Sequence, residues 1–314
     1  MDEFDLIDTM VEILGDVATG TGVAVGPGDD AAVLDVPADH QLVVSTDTLV
    51  AGRHFPANGQ ADVIGYRSMA VATSDLAAMG ATPAYATVAL TIESLPEHWA
   101  RPYAAGIACA ARDFRLAVVG GNVASGPCSI TVTVHGHVPA GQAITRAGAQ
   151  PGDRVYVTGS LGGASLALAE PGLESCGLRD LNDETALGRY WMPAPRLAFA
   201  QALRGIASAA IDISDGLSSD LAHLCRASGV ACRVDLAQLP VFAGCEALAA
   251  ATSGDDYELA FTAPAASGER IGSLAQEAGI AVQEIGTVNT GQAGRIEWLH
   301  DGAPVVVPRG YRHF

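Results

Sequence analysis

The sequence predicts a two-domain α+β protein, and three observations support this fold class. The chain has 314 residues, 49% of them hydrophobic, which is enough to build two domains with separate cores. Segments with strand and helix periodicity are mixed without the regular βαβ rhythm of a doubly wound sheet. A turn-rich segment at 141–152 separates the two halves. We therefore predict domains over residues 1–140 and 141–314.

The apolar pattern of the first half predicts the order β-β-α-β-α-β. The predicted strands cover 31–36, 42–48, 85–92 and 129–138, and the predicted helices cover 62–79 and 96–115. In the second half we predict strands over 154–158, 209–213, 231–236, 257–262 and 282–288. Helices are predicted from Ala164 and from Asp215, with a further helical stretch near 187–203.

Composition excludes several classes of partner. The net charge is −18, with 35 acidic and 17 basic side chains, so the surface repels nucleic-acid phosphates and anionic lipid. The sequence contains no run of about 18 apolar residues, so it predicts no membrane span. The acidic start of the chain is unlike a secretory signal, and six scattered cysteines without a Cys-x-x-Cys pair are typical of reduced thiols. We expect a cytoplasmic protein without a structural zinc or disulfide framework.

Five segments share one design, in which an aspartate beside Gly, Ser or Thr follows the end of a strand or helix. They are Gly28-Asp29-Asp30, Ser45-Thr46-Asp47-Thr48, Thr73-Ser74-Asp75, Asp212-Ile213-Ser214-Asp215-Gly216 and Gly254-Asp255-Asp256. Mg²⁺ prefers hard oxygen ligands and is usually shared between carboxylates and substrate phosphates. The five segments together predict a Mg²⁺–polyphosphate site.

Each aspartate taken alone also fits a structural role, as a turn residue or a helix cap. Asp75 lies in the last turns of the predicted helix, where the dipole disfavours a carboxylate and a cation would offset the cost. A helix break at Thr73-Ser74 would instead let Asp75 cap a new segment. Asp212 ends the apolar run 209–211, where an uncompensated buried charge is costly. These two positions favour a shared cation site over unrelated turns.

Other candidates are less specific, and each has a structural alternative. The loop Gly159-Ser160-Leu161-Gly162-Gly163 either offers N–H groups to phosphate or makes a tight turn that packs a helix on a sheet. The backbone of Gly121 and Asn122 could approach a ligand. Arg146 either clamps a phosphate or is a solvated linker residue, and His54 either contacts a substrate or packs on the surface. Residue types alone therefore predict a Mg²⁺-nucleotide phosphotransferase.

Read together, these segments resemble the thiamine-monophosphate kinase family, within the superfamily of aminoimidazole ribonucleotide synthetase and selenophosphate synthetase. The resemblance runs in the family's order over nearly the whole chain. It is carried by Gly28-Asp29-Asp30-Ala31-Ala32, Ser45-Thr46-Asp47-Thr48-Leu49-Val50 with His54-Phe55, Ser74-Asp75-Leu76-Ala77-Ala78-Met79-Gly80, Arg146-Ala147-Gly148-Ala149, Asp212-Ile213-Ser214-Asp215-Gly216-Leu217, Gly254-Asp255-Asp256-Tyr257-Glu258-Leu259 and the tail Gly310-Tyr311-Arg312-His313-Phe314.

The resemblance implies ATP-dependent phosphorylation of thiamine monophosphate by direct in-line transfer assisted by several Mg²⁺ ions. It also implies a homodimer whose N-terminal mixed sheets pair into a barrel, and a C-terminal domain that completes the nucleotide and substrate site. The positions that match the family's metal ligands are Asp30, Ser45, Thr46, Asp47, Asp75, Asn122, Asp212 and Asp215, with Asp47, Asp75 and Asp212 central to catalysis. Gly121, Asn122, Arg146 and Ser214 match its ATP contacts, and His54, Asp255 and Tyr311 match its contacts with the thiamine substrate.

The chain departs from the family pattern at Asn122, which replaces an aspartate, and at Ala51, Arg53 and Asp255. Two other hypotheses remain open at this stage. One is a different ATP-using enzyme of the superfamily that acts on another small phosphorylated compound. The other is a non-catalytic protein that binds a nucleotide or a thiamine phosphate.

Overall fold

The structure is a computed structural model that describes residues 3–94 and 96–311. The last three residues of the tail motif, 312–314, lie outside the described residues. The chain divides into two compact units. Unit 1 contains the residues up to 76, 82–141 and 171–182, and unit 2 contains 77–81, 142–170 and the residues from 183 onward.

Unit 1 is built around a four-stranded mixed sheet. Its elements are α1 (Glu3–Leu14), β1 (Val23–Val25), β2 (Val33–Leu34), β3 (His40–Val50), α2 (Ala61–Ala78), β4 (Thr82–Thr91), α3 (Glu97–Phe114), β5 (Ala117–Ala124) and β6 (Ser129–Pro139). The strand order is β3-β6-β4-β5, with β4 and β5 parallel and the other pairs antiparallel. Strands β1 and β2 form a separate antiparallel pair.

The two faces of this sheet differ sharply in burial. On β6, Ile130, Val132 and Val134 are completely buried, while the residues between them are half-buried. Because side chains alternate between the faces of a strand, one face of the sheet is covered, and the other is open along β3 but covered near Tyr85 of β4, which is 2% exposed. The open face carries Leu42 and Val44 of β3, which are 46% and 51% exposed.

Two glycines allow helices α2 and α3 to pack closely. A Cβ atom on Gly65 would overlap the carbonyl oxygen of Tyr103, and one on Gly106 would overlap the carbonyl oxygen of Asp62. Only glycine allows two helix backbones to approach so closely. The two glycines therefore determine how the helices of unit 1 cross.

Unit 2 contains a seven-stranded mixed sheet, of order β13-β12-β9-β11-β7-β10-β8. Its elements are β7 (Arg154–Thr158), α4 (Gly163–Ala167), α5 (Ala186–Trp191), α6 (Leu197–Ala202), β8 (Ala209–Asp212), α7 (Leu217–Ala227), β9 (Ala231–Asp235), α8 (Ala247–Thr252), β10 (Leu259–Ala263), α9 (Gly268–Ala278), β11 (Val282–Asn289), β12 (Ile296–His300) and β13 (Ala303–Pro304).

Both faces of the unit 2 sheet are covered. Val155 and Val157 of β7 belong to one apolar cluster, together with Leu221 of α7. Tyr156, between them, belongs to a second cluster with Ile271 of α9. The continuous apolar run in β7 is therefore that of a strand buried on both sides.

The predicted α+β class is confirmed, and most predicted elements are present within a few residues of their expected bounds. Strand β5 was missed because its glycines weaken the strand pattern. The strand predicted over 31–36 is reduced to Val33–Leu34, and the stretch 187–203 forms two helices separated by Pro193 and Pro195. Among the described helices, none combines the length and apolarity needed to cross a membrane.

Candidate active site

The strongest candidate site in unit 1 is a pair of carboxylates on the covered face of the sheet. Ser45 and Asp47 lie two residues apart on β3 and therefore share a face. Asp75 lies on α2, and its carboxylate accepts a short hydrogen bond from the hydroxyl of Ser45. Helix α2 continues without a break to Ala78, so Asp75 does not cap a new segment. Its charge therefore stands in the last turn of the helix, where a nearby cation would stabilise it.

The electrostatics of this pair fit a cation site. Burial, together with the negative charge of Asp75, raises the pKa of Asp47 to about 6. Two carboxylates that repel each other in a half-buried position, beside a hydroxyl, form an all-oxygen donor set suited to Mg²⁺. The described part of the chain contains no group of three or more His, Cys, Asp or Glu side chains placed to hold a metal ion. Water and phosphate oxygens would have to complete the coordination, as is usual for Mg²⁺.

Two predicted ligands lie on the other face of the sheet. The hydroxyls of Thr46 and Thr133 are 3.0 Å apart on the open face, so the Thr46 side chain points away from Asp47. Asn122 lies on β5, where it pairs with Ala89 of β4, and β5 is three strand positions from β3. Neighbouring strands lie about 4.8 Å apart, so about 14 Å separates these two strands. Within one chain, the structure therefore does not bring Thr46 or Asn122 to the carboxylate pair.

The remaining predicted residues of unit 1 have clear local roles. A Cβ atom on Gly121 would overlap the carbonyl oxygen of Val88, so this glycine is required by the neighbouring strand. In the exposed turn after Gly28, the side chain of Asp29 accepts a hydrogen bond from the N–H of Asp30, 2.8 Å between Oδ1 and N. Asp29 therefore supports the turn, and the carboxylate of Asp30 is exposed to solvent.

His54 lies in the turn after β3, and its ring contacts the backbone. Its Nδ1 accepts a hydrogen bond from the N–H of Val50 at 3.0 Å. Because Nδ1 is the acceptor, the neutral ring carries its proton on Nε2. The turn therefore determines the tautomer of this predicted substrate contact.

In unit 2, backbone hydrogen bonds bring three predicted segments together. The N–H of Asp255 donates to the carbonyl of Ser214 at 2.9 Å, and the N–H of Tyr311 donates to the carbonyl of Asp215 at 2.9 Å. Gly254 and Gly310 make this possible, since a Cβ atom on either would overlap the backbone of the 214–215 loop. The predicted residues Ser214, Asp215, Asp255 and Tyr311 therefore form one cluster.

Asp212 and Asp220 flank the same loop. Asp212 ends β8 and is 5% exposed. Asp220, on α7, accepts hydrogen bonds from the N–H groups of Ser214 and Asp215, both at 3.0 Å. Burial, followed by the charges of Asp212 and Asp215, raises the pKa of Asp220 to about 8. Asp220 was not predicted as a site residue, although an acid in the first turn of a helix is typical of a residue that binds free N–H groups.

Comparison with known proteins identifies the family. The models for the N-terminal and C-terminal domains of AIR synthase related protein match residues 28–138 and 150–299. The chain is 39% identical to the thiamine-monophosphate kinase of Salmonella typhimurium over 307 residues, which covers 93% of this chain and 92% of that protein. The crystal structure of thiamine-monophosphate kinase from Stenotrophomonas maltophilia K279a is 38% identical, with a TM-score of 0.83 over 97% of this chain and 98% of that one.

The chain belongs to the thiamine-monophosphate kinase family. A further solved structure, AaThiL complexed with AMPPCP and TMP, is 28% identical, with a TM-score of 0.73 over 99% of this chain and 97% of that one. The family resemblance stated from the motifs is therefore confirmed.

This member of the thiamine-monophosphate kinase family contains a buried charge network beside the unit 2 cluster. Glu258 is 1% exposed and accepts hydrogen bonds from Arg196, Arg189 and the hydroxyl of Thr158. Burial alone would lower the pKa of Arg196, but its hydrogen bond and ion pair with Glu258 outweigh that effect and raise it. The sequence did not predict this network, because Glu258 is more than 60 residues from each of its partners.

The glycine loop after β7 packs against two buried acids, Asp256 and Glu258. The N–H of Gly162 donates to both carboxylate oxygens of Asp256, at 2.9 and 3.0 Å, and a Cβ atom on Gly159 would overlap the carboxylate of Glu258. The geometry supports the packing role of this loop over the phosphate-binding one. Because Asp256 and Glu258 point inward, the alternate residues Asp255 and Tyr257 are half-buried, and the Tyr257 hydroxyl donates to Asp255 at 3.1 Å.

Proposed function

We propose that the protein transfers the terminal phosphoryl group of ATP to thiamine monophosphate and so forms thiamine diphosphate. The observation that carries this proposal is the Asp47–Asp75 carboxylate pair with Ser45, held between a strand and a helix terminus. Curated relatives named thiamine-monophosphate kinase support the choice of substrates.

The proposed chemistry is a direct in-line transfer. Attack of one phosphate on another requires charge neutralisation and alignment more than it requires a base. Mg²⁺ ions, when bound, would neutralise the charge of the phosphoryl oxygens. We assign their binding to Asp47, Asp75 and Asp212 as central ligands and to Asp30, Ser45 and Asp215 as further ligands. Thr46 and Asn122 stay proposed ligands, although one chain alone does not bring them to the Asp47–Asp75 pair.

We assign ATP contacts to Gly121, Asn122, Arg146 and Ser214, and substrate contacts to His54, Asp255 and Tyr311. The half-buried carboxylate of Asp255 and the ring of Tyr311, which is 41% exposed, are suited to an aromatic cation such as thiamine. We propose that residues 1–140 form the domain that binds ATP and metal ions and that dimerises. Residues 141–314 would form the domain that completes the nucleotide and substrate site.

We also propose a homodimer in which two unit 1 sheets close into an eight-stranded barrel. Strands β3 and β5 are the edges of the unit 1 sheet. Pairing β3 of one copy with β5 of the other, twice, would remove all edges and bury the exposed side chains of Leu42 and Val44. It would also bring Asn122 of the partner subunit next to the strand that carries Asp47. Light scattering should give the dimer mass for the wild type and the monomer mass for Val44→Arg; a wild-type monomer would refute the barrel.

One assay tests the activity. The protein is incubated with ATP, Mg²⁺ and thiamine monophosphate, and thiamine diphosphate and ADP are measured. Asp47→Asn should reduce turnover by at least about 100-fold while the far-UV circular dichroism stays unchanged. The matched control is Asp39→Asn, the same change in an exposed turn of unit 1 whose left-handed backbone suits asparagine. Near wild-type activity of Asp47→Asn would contradict the proposed metal site.

The same assay separates the other hypotheses. Binding of both compounds without product would favour a non-catalytic binding protein. Binding of ATP without binding of thiamine monophosphate would favour another enzyme of the superfamily.

A further inference from the structure

One face of helix α7 gathers basic side chains from three segments of unit 2. Residues 219, 223 and 226 are spaced four and three apart and therefore lie on the same face of the helix. At the first of these positions, the hydroxyl of Ser219 accepts a hydrogen bond from the N–H of Gly310 at 3.0 Å. This bond places Arg309 at the start of the face, followed by His223 and Arg226.

Arg146 is held at the other end of the same helix. The hydroxyl of Ser228, which follows the last turn of α7, donates to the carbonyl of Arg146 at 2.9 Å. It also accepts hydrogen bonds from the N–H groups of Gly148 and Ala149, both at 3.1 Å. From position 219 to 228 the helix rises about 14 Å. We call the side chains of Arg146, His223, Arg226 and Arg309 the α7 basic row.

The members of this row are close enough to interact electrically. Burial lowers the pKa of His223, and the charges of Arg226, Arg146 and Arg309 lower it further, while Asp215 acts in the opposite direction. Nδ1 of His223 also lies 3.2 Å from Nη1 of Arg226. Four basic groups are therefore concentrated in a chain that has twice as many acidic as basic residues.

The charges of the row are largely uncompensated. Arg101 and Arg233, elsewhere on the surface, form ion pairs with Glu97 and Glu297. The side chains of Arg146 and Arg309 are exposed and have no hydrogen-bond or ion-pair partner among the residues that the structure describes. Arg226 could serve only to offset the dipole at the end of α7. That explanation does not extend to Arg146 and Arg309, because they belong to other segments.

We propose that the α7 basic row binds the polyphosphate chain of the nucleotide, with Arg309, Arg226 and His223 as contacts additional to Arg146. Guanidinium groups bind phosphate oxygens in a bidentate manner, and a polyanion would relieve the mutual repulsion of the arginines. The row begins beside Asp215, in the loop to which a metal ligand and an ATP contact are assigned. The identity of the ligand as ATP rests on the proposed function.

Calorimetric titration of the full chain in the presence of Mg²⁺ tests the proposal. The ligands are AMPPCP, inorganic tripolyphosphate and adenosine, and the variants are Arg309→Gln and Arg226→Gln. Each variant should bind AMPPCP and tripolyphosphate about tenfold more weakly than the wild type, with adenosine binding unchanged. The matched control is Arg233→Gln, which removes a paired surface arginine of the same unit and should bind all three ligands as the wild type does.

Wild-type affinity of both variants for AMPPCP would overturn the proposal. The proposal would also be overturned if the variants bound tripolyphosphate more weakly but AMPPCP as tightly as the wild type, because the row would then bind free polyphosphate and not the nucleotide. The proposed function fails separately, if the wild type forms no thiamine diphosphate while AMPPCP binding still depends on Arg309 and Arg226.

Discussion

Replacing Glu258 with glutamine should destabilise unit 2 by removing the negative charge that pairs with both Arg189 and Arg196. The carboxylate accepts hydrogen bonds from Nε of Arg196 at 2.7 Å, Nη1 of Arg189 at 3.1 Å and Oγ1 of Thr158 at 2.7 Å. The arginine side chains are only 15% and 22% exposed. Glutamine keeps the shape but leaves two guanidinium groups next to an amide that offers a single acceptor oxygen.

The size of the effect follows from this burial. Breaking a buried ion pair by removing one partner costs about 3 to 5 kcal/mol, because the remaining charge is left uncompensated. Each kcal/mol lowers the melting temperature of a unit of this size by about 3 °C. We therefore expect Glu258→Gln to lower the melting temperature by about 9 °C or more.

Thermal unfolding followed by circular dichroism, with calorimetry as a second method, measures this change. The control is Glu297→Gln, which makes the same substitution in the exposed pair with Arg233, where the side chains are 44% and 53% exposed. Such surface pairs contribute about 0.5 kcal/mol, so the control should melt within about 2 °C of the wild type. Equal melting temperatures for the two variants would show that the buried network does not stabilise unit 2 as argued.

Three further predictions concern other parts of the molecule. Burial holds the pKa of Asp256 well above its usual value, so its ionisation lowers the folding stability of the wild type as the pH rises above about 4. The melting temperature of Asp256→Asn should therefore rise relative to that of the wild type between pH 5 and pH 8. A difference in melting temperature that does not change with pH would contradict this. Gly106→Ala should lower the melting temperature by several degrees because its Cβ overlaps the Asp62 carbonyl, and unchanged melting would refute the close crossing. Tyr257→Phe should raise KM for thiamine monophosphate about tenfold but not KM for ATP, and should have no effect in an Asp255→Ala background, which lacks the acceptor oxygen; an unchanged KM would exclude this positioning role.

The sequence predicted the elements whose periodicity is strong, and it missed those whose pattern is weak. The alternation over 129–138 predicts β6 because every second residue is apolar. Strand β5 was not predicted because Gly120 and Gly121 interrupt its apolar pattern. The reason for Gly121 is visible only in the structure, where a side chain would overlap the carbonyl oxygen of Val88 on the neighbouring strand. The motifs likewise indicated the family, which the comparisons confirm.

For the candidate site, the local sequence pattern predicted only some of the side-chain positions. Strand periodicity alone requires that Ser45 and Asp47 share one face and that Thr46 lies on the other. That Asp75 meets this face, 30 residues later, depends on how α2 packs on the sheet. A local pattern records backbone geometry, which repeats every few residues, but it contains no information about which distant segments pair.

The same distinction applies to the acids of unit 2. The sequence by itself determined that Asp212 ends an apolar strand and that Asp215 and Asp255 stand beside serine or glycine, an arrangement that suits a Mg²⁺–nucleotide site. Only the tertiary structure decided that Asp256 and Glu258 point inward. Their partners are the N–H of Gly162 and the guanidinium of Arg196, 94 and 62 residues away, and a buried polar or charged group is stable only where it has such partners.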